Sequence, residues 1–195
     1  MLFLIIAAAI IFAISIHEFF HAWMAYYLGD NTAKDQGRLT INPLAHLDPF
    51  GTILLFIAGI GWGKPVPFNP YNLRNQKWGP SLVSLAGPAS NFLMALFAGF
   101  SLRFLELDNS ALIFFLSFFV WINLILGVLN LMPIPPLDGS HIFFALFPSL
   151  ENIRDSLAQG GFLLLIGVIF FMIYIVIPFI VRPLYALIAG NYALF

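Results

Sequence analysis

Long apolar runs separated by short polar breaks set the pattern of this chain. The first runs from residue 2 to about 28 and stops at Gly29-Asp30, a length that lets a helix cross a hydrocarbon core of about 30 Å. Comparable runs at about 79–103, 111–132 and 160–181 predict three more spans. Gly87-Pro88 interrupts the second, Pro133, Pro135 and Pro136 end the third, and Pro178 and Pro183 mark the end of the fourth. A shorter apolar run at about 50–62, with Gly51, Gly59 and Gly61, predicts a re-entrant segment that returns to the side it came from. Between it and the second span, residues 63–78 hold several prolines and predict a short extended or hairpin-like stretch. The expected fold is an all-α integral membrane protein with about four transmembrane helices, organised as one domain over residues 1–195.

Composition agrees with the bilayer as solvent. Of 195 residues, 61% are hydrophobic and 9% charged, and the mean hydropathy is +0.96. Soluble domains carry roughly 25% charged residues. A net charge of −1 offers no basic field for nucleic acid. The absence of cysteine removes disulfides and thiolate metal sites, so any metal must be held by His and carboxylate. The first run has no basic n-region and no small-residue cleavage pattern, and is read as a span rather than a signal peptide. Lys34, Arg38, Lys64, Arg74, Lys77 and Arg154 fall on one expected side, Arg103 and Arg182 on the other. That bias places the first side in the cytoplasm and the N-terminus outside.

Most acidic residues sit in polar breaks, but Glu18 lies deep within the first span. An ionisable group in hydrocarbon costs about 2.5–3.5 kcal/mol even on lenient scales, and needs a partner. His17-Glu18-Phe19-Phe20-His21 reads HExxH. On a helix, His17 and His21 lie within roughly 40° of one another and can offer ring nitrogens to one metal ion, with Glu18 beside them as general base. A third protein ligand is required, and His46, His141, Asp48 and Asp138 are the unused choices. Asp138 is preferred, because Asn130 to Gly139 is a proline-broken segment, and broken backbone at membrane depth lines cavities. His46 and Asp48 fit loop structure, His141 fits a local hydrogen-bonded histidine, and Asn91 fits packing between spans.

Taken with Asn130-Leu-Met-Pro-Ile-Pro-Pro-Leu-Asp138-Gly139 and Gly87-Pro88-Ala89-Ser90-Asn91, the HExxH string resembles the site-2 protease family of intramembrane zinc metalloproteases. The similarity is to its minimal prokaryotic branch, without PDZ or CBS domain. Asn42 to Gly51 resembles that branch's re-entrant loop. The resemblance implies one zinc ion on His17, His21 and Asp138, Glu18 as base toward a zinc-activated water, and Asn130 at the oxyanion or substrate. It leaves Asn91, His46 and His141 as secondary positions. It also implies a prokaryotic cell-membrane protein that hydrolyses peptide bonds in or near transmembrane segments, with the site nearer the cytoplasm. A substrate helix must unwind first, and the stretch from Pro65 to Tyr71 is the expected place for it to pair. A metal transporter would repeat ligands across spans, yet 160–181 has no acidic, basic or histidine residue. A silent binding protein would not need Glu18.

Overall fold

The computed structural model describes residues 2–58 and 63–190. Helix α1 (Leu2–Tyr27) leads through the short α2 (Thr32–Asp35) to α3 (Pro49–Ala58). Then come α4 (Gly79–Phe104), α5 (Ser110–Asn130), α6 (Asp138–Leu146) and α7 (Glu151–Gln159). The last helical run comprises α8 (Gly161–Phe171), a π-helical stretch Met172–Val181, and α9 (Arg182–Ala189). Among the described residues, four helices are long and apolar enough to cross a membrane: Leu2–Tyr27, Gly79–Phe104, Ser110–Asn130 and Ile166–Ala189. Many large apolar side chains face outward, with Leu4 67%, Phe97 66% and Phe179 72% exposed. In water such a surface would aggregate; lipid is its natural solvent.

The local sequence explains the boundaries. Asn109 starts α5, its Oδ1 accepting from the N–H groups of Ala111 and Leu112 at 3.0 Å. Asp48 does the same for α3, accepting from Gly51 N–H at 2.8 Å. Of the run expected to re-enter, Pro49–Ala58 is helix and residues 59–62 lie outside the described residues. Residues 64–69 carry no regular structure, and Leu47 and Gly63 form an isolated antiparallel bridge. The fourth span differs from the sequence expectation. The helix does not end at Pro178 or Pro183 but passes both and reaches Ala189, so Arg182 lies within the span rather than beyond it. Pro178 removes one backbone donor, and wider π-type turns let the helix continue where lipid offers no other partner for backbone groups. Arg182 is exposed near the helix end, where its long stem can carry the charge outward.

Helix α4 is the central element, packing on α1, α5, α6 and α9. The contact faces are rich in small residues: Ala7, Ala9, Ala13, Ala22 and Ala25 on α1, and Ala86, Gly87, Ala95, Ala98 and Gly99 on α4 are buried. Without a hydrophobic drive in lipid, close backbone approach is what makes helices associate. A larger core of Leu102, Phe119, Val120, Leu124, Val176 and Tyr185 ties α4, α5 and the last helical run together.

Candidate metal centre

One helical turn separates His17 from His21, and both are buried. Their rings point to α4. His17 Nδ1 is 2.7 Å from Asn91 Oδ1, and His21 Nδ1 is 2.7 Å from the carbonyl oxygen of Val83. Both partners accept. Asn91 orients its amide by donating from Nδ2 to Asn123 Oδ1 at 2.8 Å, and Asn123 Nδ2 donates to Phe119 O at 2.8 Å. Each imidazole therefore carries a proton on Nδ1, which in the neutral ring leaves the lone pair on Nε2.

The two Nε2 atoms face one another at 2.9 Å. Asp138, in the first turn of α6, brings Oδ2 to 3.2 Å from His17 Nε2 and 3.3 Å from His21 Nε2. Lone pairs and a carboxylate converging without a shared proton repel unless a cation lies among them. Asp138 Oδ2 is buried and finds no donor. The three edges also suit zinc, since tetrahedral bonds of about 2.0–2.1 Å separate neighbouring ligands by roughly 3.3 Å. Among the described residues this is the group of His and acidic side chains able to hold a metal ion. The donor set fits the ion that the sequence calls for.

Two glycines let these parts meet. A Cβ at Gly87 would run into His21 Nε2 and stand 2.6 Å from His17 Cε1. One at Gly139 would run into the carbonyl oxygens of Leu131 and Met132. The first keeps α4 against the imidazoles, and the second folds the start of α6 back onto the end of α5.

A cavity of about 430 Å³ opens on the cluster and is lined by His17, Glu18, His21, Asn130, Asp138 and His141, among others. Asn130 donates from Nδ2 to Leu126 O at 3.0 Å, which leaves its second amide hydrogen for the cavity. Glu18 Oε2 accepts from Val66 N–H at 3.0 Å. His141 lies on the cavity wall; Ser81 donates to its carbonyl at 3.0 Å, and Arg154 Nη2 is 3.5 Å from its Nδ1. Burial pushes its imidazole down, and Arg154 adds to that. His46 stands apart from the cluster. It is buried in the loop before α3, with Nε2 2.6 Å from Thr40 O, and burial again lowers its pKa. A second, apolar cavity of about 310 Å³ lies between α5 and the last helical run and shares Pro136 with the first.

Sequence reasoning assigned nothing to Asn123 or Val83, counted Arg38 only among the basic residues of one side, and placed Val66 only in the stretch expected to pair with substrate. Asn123 had a readable signal, an amide in the middle of an apolar span that needs a partner. The others act through backbone groups or through burial, which composition does not reveal.

Residues 105–174 match the model of peptidase family M50. The chain is 40% identical over 177 residues to the Bacillus subtilis protein named "Putative zinc metalloprotease YwhC", covering 87% of this chain and 78% of that one. It is 34% identical to "Putative zinc metalloprotease Rip2" of Mycolicibacterium smegmatis, covering 84% of this chain and 66% of the relative. Against Rip2 of Mycobacterium tuberculosis the identity is again 34%, over 76% and 58% of the two chains. No solved structure matches. Four membrane-length helices together with these relatives make this a multi-pass membrane protein. The chain belongs to peptidase family M50, the site-2 protease family, and is a zinc metalloprotease.

Proposed function

We propose that this protein is an intramembrane endopeptidase that cleaves membrane proteins in or near their transmembrane segments, with one zinc ion held by His17, His21 and Asp138. The observation that carries the reading is the triangle of ligand atoms with edges of 2.9, 3.2 and 3.3 Å, two of its corners on a helix long and apolar enough to span a membrane, with Glu18 on the same cavity. Zinc bound there supplies Lewis acidity and brings the pKa of water to near 7. Glu18 accepts the proton of the attacking water and delivers it to the departing amine. Asn130 turns its free amide hydrogen toward the oxyanion of the scissile carbonyl. Val83 and Asn91 hold the imidazoles in one tautomer throughout. The basic residues before α4 support a cytoplasmic side for that loop and an outside N-terminus, with the site nearer the cytoplasm.

The test uses purified wild type, Glu18→Gln and His17→Ala, zinc analysis, and a single-pass membrane substrate. Glu18→Gln should retain zinc and lose about 10²–10⁴-fold in kcat, the usual contribution of a general base. His17→Ala should lose zinc. Wild-type turnover by Glu18→Gln, or full zinc in His17→Ala, would overturn the assignment.

A further inference from the structure

Arg38 follows the short helix α2 and is only 5% exposed. A guanidinium does not lose its charge in a protein, so burying it demands a reason. It forms no ion pair among the described residues. Its two terminal nitrogens go instead to backbone, Nη1 to the Pro65 carbonyl at 3.2 Å and Nη2 to the Lys64 carbonyl, while its buried Nε finds no partner among the described residues. The same strand of chain is tied on its other side, where Lys64 N–H donates to His46 O at 2.8 Å next to the Leu47–Gly63 bridge. One residue further on, Val66 N–H donates to Glu18 Oε2 at 3.0 Å. The segment passes close over that carboxylate: a Cβ at Gly63 would lie 3.8 Å from Glu18 Oε1. The turn that presents Arg38 is itself built, with Gly37 at φ +68° and Arg38 N–H donating to Ala33 O at 2.8 Å.

We propose that Arg38 is a positioning residue for Glu18: by gripping the carbonyls of Lys64 and Pro65 it holds the Val66 N–H on one carboxylate oxygen, leaving the other to take the proton. Residues 64–69 have no ladder of their own to keep them in place. Without the guanidinium the Val66 N–H drifts, and Glu18 is free to turn about its side-chain bonds. Misplacing a reacting group by about 1 Å costs on the order of 10²-fold in rate. The clamp does not touch the metal ligands, so it should govern turnover and leave metal binding alone. This inference rests on Glu18 being the base.

The experiment compares Arg38→Gln, Val66→Pro, Val66→Ala and the double variant Arg38→Gln/Val66→Pro with wild type and Glu18→Gln, in detergent with a single-pass membrane substrate. Zinc content, kcat and KM are read for each. Arg38→Gln should keep wild-type zinc content and a KM within about twofold, while kcat falls about 10–100-fold. Val66→Pro, which removes the N–H, should fall at least tenfold below Val66→Ala, which keeps it. The double variant should be no slower than the slower single variant, because both break one connection. Wild-type kcat in zinc-loaded Arg38→Gln overturns the proposal, and so do additive losses in the double variant. If Arg38→Gln fails to fold, the Val66 pair decides: equal kcat for Val66→Pro and Val66→Ala overturns it. Activity in Glu18→Gln would instead remove the underlying base assignment, a result separate from any of these.

Discussion

His17 and His21 reach the same point in space but are held by different means. His21 leans on a main-chain carbonyl, that of Val83, which no side-chain substitution removes. His17 depends on the side chain of Asn91, which in turn depends on Asn123. Asn91→Ala should therefore free the His17 ring and its tautomer while leaving all the ligands in place. Loss of such a supporting partner weakens metal binding about 10–100-fold. Competition with a graded series of zinc chelators would show this, and unchanged zinc affinity would mean that the Asn91 contact is incidental. Gly87 sets a harder limit at the same place, since any side chain there occupies the space of the two rings.

At the scale of elements, the far end of α1 is anchored by Asp30. Its carboxylate accepts from Thr32 N–H and Oγ1 at 3.1 and 2.6 Å, from Asn69 N–H at 2.7 Å and from Asn72 Nδ2 at 2.9 Å. The residue is fully buried. Burial alone would raise its pKa, but the donors from Thr32, Asn72 and Asn69 outweigh it and hold the carboxyl below its ordinary value. A depressed folded-state pKa stabilises the protein above the unfolded value of about 3.9, and the stabilisation is lost as pH falls through the folded value. Wild type should thus lose thermal stability below about pH 4, and Asp30→Ala should show a shallower acid limb. At neutral pH the variant should be less stable by on the order of 2 kcal/mol, the scale of hydrogen bonds to a charged group. Melting curves of both forms in detergent from pH 3 to pH 7, values spanning roughly the carboxylate range, would check this. This anchor also fixes the start of residues 69–72, the downstream end of the segment that crosses Glu18.

For the whole molecule, α4 is the member that every other part of the site is measured against. It carries Val83 and Asn91 toward α1, and Gly99 toward α9. Near its C-terminal end Arg103 donates to Leu187 O, closing the last helical run against it. A Cβ at Gly99 would run into Ile188 Cγ2. Gly99→Leu should force α9 away and cost about 1–3 kcal/mol by overpacking. A lower melting temperature with zinc stoichiometry intact is expected, because the metal cluster lies on the α1 and α6 faces of α4. Loss of zinc in a folded Gly99→Leu protein would show that the last helical run and the metal centre are coupled more tightly than this packing implies.

Apolar run lengths alone determined that helices would cross a membrane and roughly where three of them begin and end, because hydrocarbon thickness and backbone hydrogen bonding leave little freedom. The HExxH spacing likewise carried its own geometry, since positions one helical turn apart share a face. The end of the fourth span was not legible: proline breaks helices where water can take the orphaned groups, and here π-type turns absorbed the defect. Nor could the chain order reveal that Asn123 reaches His17 through Asn91, or that the buried Arg38 holds the segment whose Val66 N–H meets Glu18. Those contacts join residues dozens of positions apart, and only the packing of α1, α4, α5 and α6 against one another, made close by glycine and alanine, brings them together.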